Sequence, residues 1–361
     1  MLNQIYKKNV AVFCGSLYRG GAERVTIYLA NGLSNLGYHT EIITCSQKEI
    51  EYDLPSNVKR HILGDSSTCT LAMIKKLRTI LMENHIDILI VITTPLSIYA
   101  MPAVAGLNIK VIVSERNDPT HFEGKKRTKY LSDILMRRAD GFVFQTHDAK
   151  EYYKNRINGK GVVIHNPIFS NIKLTSSKEI PEKTIVAVGR LDPQKNHMLL
   201  IRSFAECDEL NREYKLIIYG EGILRLKLEE LVRELGMEGQ IELPGNVPDV
   251  YNKIHNASLF VLSSNYEGMP NALIEAMALG LPCISTDCPI GGPSELIQDG
   301  INGILVPVGD KEALKGKMKE MLLIPGLGNE IGKAAKSICE KLSKEKILAQ
   351  WADYIERILN E

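Results

Sequence analysis

Short apolar runs alternate with helical patterns from one end of the chain to the other. The runs fall at residues 10–14, 40–44, 88–92, 111–114, 141–144 and 162–164, and most are rich in apolar residues but too short for a helix. That pattern predicts strands buried on both faces, as in a parallel sheet with helical crossovers. The series then restarts at residues 184–189, 215–220, 241–243, 258–262, 283–286 and 303–306. Between the two series stand Asn166-Pro167 and a polar stretch holding Thr175, Ser176, Ser177, Lys178 and Pro181, the best linker candidate. The expected organisation is an α/β domain over 1–166, a linker over 167–182 and a second α/β domain over 183–343. A final helix over 344–361 sets Trp351, Tyr354, Ile355 and Ile358 on one side, which would pack locally or cross back to the first domain. A length of 361 residues agrees with two domains, and 44% hydrophobic residues are ample for their cores.

Charge and cysteine usage narrow the class. Residues 1–166 carry 22 Lys/Arg against 15 Asp/Glu, whereas residues 167–361 carry 22 against 28, so a formal net charge of +1 hides two opposite fields. Much of the basic excess lies at Lys75, Lys76 and Arg78 and in the stretch Lys125, Lys126, Arg127, Lys129 to Arg137 and Arg138. This stretch brackets Tyr130, Leu131, Ile134, Leu135 and Met136, so it suits an anionic membrane surface or a polyphosphate, although a solvated helix packed by its apolar stripe has the same pattern. Little aromatic interleaving argues against nucleic acid. Seven scattered cysteines without a C-x-x-C pair read as reduced thiols in a cytoplasmic protein. The first apolar run ends in Gly15 and reads as a strand rather than a signal peptide, and no segment approaches the ~20 apolar residues that span a bilayer. The eight histidines are isolated, so no metal site is expected.

The chemistry gathers in loops that follow strands, where open α/β sheets bind ligands. Glu267-Gly268-Met269-Pro270-Asn271-Ala272-Leu273-Ile274-Glu275 follows the run at 258–262. Pro270 suits a first helical turn, and Asn271 or Ser264 is near enough to cap it. A helix start there offers amides and a positive dipole end to a phosphate. Carboxylates would repel a diphosphate, so Glu267 and Glu275 better suit hydroxyls of ribose and sugar; a loop Glu and a helix-surface Glu would show the same spacing. Arg190 and Lys195, five residues apart after the run at 184–189, suit the two phosphates of a departing diphosphate. The loop of Asn246 and Val247 would then meet the base, with Asp249 a candidate N-cap. Gly15 to Gly21 is a glycine-rich turn without the spacing of a dinucleotide fingerprint or a P-loop. Tyr219 to Gly222 and Cys288 to Glu295 are turns that would let a ligand approach or merely bend the chain.

Taken together, GGAERV near the N-terminus, VGRLDPQKN at the start of the second domain and SSNYEGMPNALIEAMALGLPCIS resemble the family-4 glycosyltransferases of the GT-B fold. The resemblance spans nearly the whole chain. It implies two facing Rossmann-like domains with an interdomain cleft, acceptor in the first and nucleotide-sugar donor in the second, and sugar transfer with retention and without a required metal or cofactor. Carried onto this sequence, Arg190 and Lys195 would hold the diphosphate, Glu275 the ribose hydroxyls and Glu267 the sugar hydroxyls. Gly268, Met269, Pro270 and Asn271 would offer backbone amides, and Gly20 and Gly21 would close over the phosphates. Many relatives have a histidine where this chain has Arg116, which places Arg116, or His121 five residues on, among the candidate catalytic residues.

The resemblance further implies a UDP-hexose or UDP-N-acetylhexosamine donor and a polyprenyl-diphosphate-linked saccharide acceptor. Lys125, Lys126, Arg127 and Lys129 would hold the lipid diphosphate or dock the enzyme at the inner face of the membrane, in assembly of capsule, exopolysaccharide or other surface glycan. Two rival readings share the architecture: a nucleotide-sugar-binding protein without transferase activity, and a UDP-sugar 2-epimerase.

Overall fold

The computed structural model describes residues 8–18, 20–49, 51–65, 68–122, 124–157, 161–169 and 182–361. The chain divides into two compact units: Met1–Asn166 with Glu345–Glu361, and Pro167–Lys344. Pro167–Phe169 therefore count with the second unit, and the rest of the expected linker up to residue 181 lies outside the described residues.

In the first unit the strands are β1 (Asn9–Cys14), β2 (His39–Thr44), β3 (Lys59–Ile62), β4 (Ile88–Ile92), β5 (Lys110–Ser114), β6 (Gly141–Phe144) and β7 (Gly161–Val163). They form one sheet in the order β3-β2-β1-β4-β5-β6-β7, with every ladder parallel. The second unit holds β8 (Glu182–Val188), β9 (Lys215–Tyr219), β10 (Ile241–Gly245), β11 (Ala257–Leu262), β12 (Cys283–Thr286) and β13 (Ile304–Val306), in the order β10-β9-β8-β11-β12-β13, again parallel throughout. Central strands such as Ile88–Ile92 are buried at every position, as their unbroken apolar sequence requires.

Sequence reading misses one strand, Lys59–Ile62. Its four residues, KRHI, contain a single aliphatic residue, and it is an edge strand whose side chains stay partly exposed. Edge strands are commonly short and charged because such residues discourage pairing with another chain. Here His61 Nε2 lies 2.8 Å from Glu41 and Arg60 is paired with Glu51 at 2.5 Å, so polar contacts stand in for an apolar face.

The final helix, Lys344–Asn360, belongs to the first unit although the chain reaches it only after completing the second. Ile347, Trp351, Tyr354, Ile355 and Ile358 are buried, and the Phe142 amide donates to the Tyr354 hydroxyl at 2.8 Å. Burying isoleucines such as Ile355 and Ile358 contributes about 1.5–3 kcal/mol each. Among the described residues no helix is long and apolar enough to cross a membrane.

In both sheets the chain starts in the middle, works outward to one edge and returns to fill the other side. The reversal lies between β1 and β4 in the first unit and between β8 and β11 in the second. Loops leaving the two strands at such a point diverge and leave a crevice at the carboxyl edge.

Candidate functional site

In the second unit the loops after β8 and β11 flank that reversal, and they bring Lys195 and Glu267 into contact. Lys195 Nζ lies 2.5 Å from Glu267 Oε1, with both side chains largely buried. Ser264 donates its hydroxyl to the same carboxylate oxygen at 2.6 Å, and Gln194 Nε2 lies 3.4 Å from Oε2. Gln194 also donates to the Tyr266 carbonyl at 3.0 Å and accepts from Arg190 Nη2 at 2.8 Å. One glutamine thus ties the two loops and the two cations together. Sequence reading passes over it, although it stands inside the quoted motif next to Lys195. Ser264 does not cap the following helix as expected, because its hydroxyl is used on Glu267; Thr286 Oγ1 and Cys288 Sγ hold its carbonyl at 2.6 and 3.3 Å.

Arg190 differs from Lys195 in exposure. Its side chain is 63% exposed, 3.1 Å from Asp192, and reaches into a cavity of about 210 Å³ lined by Gly189, Tyr219, Gly220, Asn246, Val247 and Val250. Arg190, Asn246 and Val247, far apart in sequence, therefore share one wall. Gly220 is required there: its φ is +144°, and a Cβ would lie 1.9 Å from the Gly189 carbonyl oxygen. Asp249 occupies the N-cap position of its helix, but with φ 50° and without a side-chain capping bond.

The helix Asn271–Leu279 starts after Pro270, which holds φ −76° and ψ 103° at the cap position, and no side chain caps it. Its N-terminal dipole end therefore opens on the Glu267 loop. Gly292 in the turn after β12 packs on this loop so tightly that a Cβ would lie 1.8 Å from the Gly268 carbonyl oxygen and 3.3 Å from Pro270 Cδ. Gly292 is thus explained by backbone packing, and Gly291 beside it by its φ of 71°. Met269 is buried and Asn271 half-buried. Glu275, on the next turn of the helix, is fully buried and accepts the Phe169 amide at 3.1 Å, so the start of the linker is docked on it.

His197, two residues after Lys195, is also buried, and neither ring nitrogen finds a hydrogen-bond partner among the described residues. Burial, and then the charge of Lys195, push its pKa down to about 4, so the ring is neutral. An unfolded chain would protonate it near the usual 6.5 while the folded chain does not, so stability is full above pH 6.5 and falls as pH drops toward 4. The expected loss from this residue is roughly 3 kcal/mol at its limit. Urea unfolding at pH 7 and pH 4.5 should show a smaller drop for His197→Leu than for wild type; equal drops would refute the assignment.

In the first unit Gly20 and Gly21 form the cap and first residue of the helix Gly21–Asn35. Arg116 turns inward. It is 9% exposed, donates from Nη1 to Asn166 Oδ1 at 3.1 Å and lies 5.4 Å from the Trp351 ring centroid, while Nε and Nη2 have no partner among the described residues. Burial lowers its pKa to about 9. Arg116, expected among the catalytic groups, is thus a buried side chain that bonds Asn166 and lies over Trp351 of the final helix. Lys125, Lys126 and Arg127 are exposed at the start of the helix Lys126–Leu135, but Lys129 is not part of that row: its Nζ lies 3.2 Å from Asp133 and within 6 Å of the rings of Tyr152 and Tyr153.

Residues 19–169 match the family model described as Glycosyltransferase Family 4, and residues 171–338 match that of Glycosyl transferases group 1. An α-1,4-N-acetyl-D-galactosaminyltransferase of Campylobacter jejuni that acts on an undecaprenyl-diphosphate-linked saccharide is 28% identical, over 97% of this chain and 99% of its own. The amylovoran biosynthesis glycosyltransferase AmsD of Erwinia amylovora is 24% identical, over 93% of this chain and 96% of its own. Among solved structures, Anabaena HepE in complex with UDP superposes with a TM-score of 0.81 at 18% identity, over 97% of this chain and all of its own. With two family models that together run from residue 19 to residue 338, and a fold shared along nearly the whole length, the chain belongs to the family-4 glycosyltransferases of the GT-B fold.

Proposed function

We propose that this glycosyltransferase moves a hexose or N-acetylhexosamine, with retention, from a UDP-sugar to a lipid-linked saccharide in the assembly of a bacterial surface glycan. The observation that carries the reading is the contact of Lys195 with Glu267 beside Arg190 and the uncapped helix at Pro270. Arg190 and Lys195 supply two positive charges where the β-phosphate would leave, and Glu267 supplies a carboxylate for sugar hydroxyls. The acceptor oxygen attacks C1 from the face the phosphate leaves, the C1–O bond to phosphate breaks, and a departing phosphate oxygen takes the hydroxyl proton. No side chain is needed as covalent nucleophile, and two cations do what a metal would do for the diphosphate. The UDP bound to Anabaena HepE and the lipid-linked acceptor of the Campylobacter enzyme support the choice of substrates. The test is incubation with a panel of UDP-sugars, undecaprenyl-diphosphate-linked saccharides and EDTA, followed by NMR of the product. A new α-linkage from an α-linked donor is expected; release of the 2-epimer, or binding without turnover, would establish one of the rival readings.

We place the enzyme at the inner face of the cell membrane. Tyr130, Leu131 and Ile134 are 71, 49 and 40% exposed on the helix that begins with Lys125, Lys126 and Arg127. Apolar tips beside a cationic end suit the interface of an anionic bilayer, at about 1 kcal/mol per charge. Flotation with phosphatidylglycerol vesicles should weaken roughly 100-fold when the three cations become glutamine. Unchanged flotation, or none at low salt in the wild type, would remove this assignment.

A further inference from the structure

The backbone that carries Lys195 is held on both sides. Its amide donates to Asp192 Oδ1 at 3.1 Å, and its carbonyl accepts the Ser263 hydroxyl at 3.0 Å. The two carbonyls before it go to one residue of the loop after β11: Gln194 accepts the Asn265 amide at 2.8 Å, and Pro193 accepts Asn265 Nδ2 at 2.8 Å. Three successive carbonyls thus face residues 263–265, so the two loops lie together as one piece before the ion pair itself is counted. Asn265 Oδ1 in turn accepts Asn196 Nδ2 at 2.9 Å. This bond runs alongside the Lys195–Glu267 contact, one residue after the lysine and two before the glutamate. Asn196 holds φ 45° and ψ 45°, the left-handed region that a Cβ disfavours and that asparagine tolerates better than most residues. It also occupies the N-cap position of the helix His197–Ala205, yet its side chain makes no capping bond. Asparagine there commonly stabilises a helix by accepting an amide of the first turn. Here that local contribution is given up for a contact with the other loop. With the left-handed turn between them, Lys195 and His197 both point inward.

From this we infer that Asn196 is a positioning residue for the transfer step: its left-handed turn, fastened to Asn265, sets the direction from which the Lys195 ammonium meets the departing diphosphate. The inference rests on the glycosyltransferase reading, which gives Lys195 that task. Neither asparagine needs to touch the donor. A lysine carries a compact charge on a flexible four-carbon stem, so the charge is aimed only as well as the backbone beneath it is fixed. Charge held in place before the reaction stabilises developing negative charge without reorganisation during it. Non-glycine residues in the left-handed region persist where the surroundings impose them, and such positions gather at functional sites. At Asn196 the imposing contact is on the page, and the residue it steadies is the cation of the buried pair.

The experiment compares Asn196→Ala, Asn196→Gly and Asn265→Ala in the full-length protein, each with Lys195 present and in the Lys195→Met background, by donor kinetics, calorimetry of UDP and uridine, and thermal unfolding. Alanine opposes the left-handed turn and glycine allows it. Asn196→Ala should therefore lower donor kcat/KM about 10- to 30-fold, and Asn196→Gly should be at least about five-fold faster than the alanine variant. In the Lys195→Met background the same alanine should change kcat/KM less than about two-fold while still lowering Tm, because a residue that acts through Lys195 has nothing left to position. Affinity for UDP should fall about three-fold or more relative to uridine, which has no phosphate for Lys195 to meet. Asn265→Ala removes the fastening alone and supplies the same cycle where Asn196→Ala does not fold. Wild-type kinetics in Asn196→Ala, a glycine variant as slow as the alanine one, or equal losses in both backgrounds would overturn the inference and leave the transferase reading standing. If the wild type binds UDP but turns over no donor, the transferase reading falls and the ratio of UDP to uridine affinity decides the inference. If it binds no UDP, both fall.

Discussion

Replacing Lys195 by methionine is expected to lower kcat/KM for the donor by about 10²–10³-fold, the range seen when one preorganised group facing developing charge is removed. The substitution has a second consequence, because it leaves Glu267, 6% exposed in its side chain, without its cation. Breaking one half of a buried ion pair costs about 3–5 kcal/mol of stability. Loss of activity in Lys195→Met alone would therefore mix chemistry with folding. The double variant Lys195→Met with Glu267→Gln separates them, since removing both charges together returns most of the stability while Ser264 and Gln194 still contact the amide. Thermal unfolding and steady-state kinetics on the three variants should show Tm recovering in the double variant and activity remaining absent. Recovery of both would mean that Lys195 only holds the fold.

The second large effect is expected from a single methyl group outside the substrate's reach. In Gly292→Ala the new Cβ must displace the Gly268 carbonyl, which stands 1.8 Å from its place, and push on Pro270. Gly292 has φ −53°, which alanine adopts freely, so backbone strain at the residue itself contributes nothing. The displacement falls on the loop that carries Glu267 and on the start of the helix Asn271–Leu279. A shift of about 1 Å in a positioned group can cost about 10²-fold in rate, and a loss of 10- to 100-fold in donor kcat/KM is expected here. Gly316→Ala, at a helical glycine with nothing within 4 Å of the added carbon, is the control that should leave kinetics unchanged. Equal kinetics in both variants would show that the Gly268 loop does not set donor geometry.

What could be read from the sequence follows from the physics of each element. Buried parallel strands announce themselves as short apolar runs, so β1, β4, β11 and β12 stand within a residue or two of their expected places. Lys59–Ile62 shows no such run because an edge strand buries little, and its register comes from pairing with His39–Thr44. The grouping of Arg190, Lys195 and Glu267 was implied by loops at strand ends, since topology alone places such loops together. Gln194 and Gly292 act through contacts across 72 or 73 residues and through a backbone approach, which no local pattern records. Arg116 is the instructive case: its place after a strand end matched a site position, yet its direction is set by Asn166 and by Trp351, from a helix at the far end of the chain. His121 sits in a turn built on Asp118, whose carboxylate holds its ring, a local arrangement that sequence spacing alone leaves unplaced.

The most direct test of the account is titration calorimetry of UDP, GDP, ADP and NAD into the wild type and Glu275→Gln, with EDTA present. Glutamine keeps an oxygen for the Phe169 amide while removing the charge that the proposed function assigns to ribose hydroxyls. The account predicts that UDP binds selectively without metal and that the variant weakens it by about 1–3 kcal/mol. Selective binding of NAD, or no binding of any nucleotide by the wild type, would contradict it.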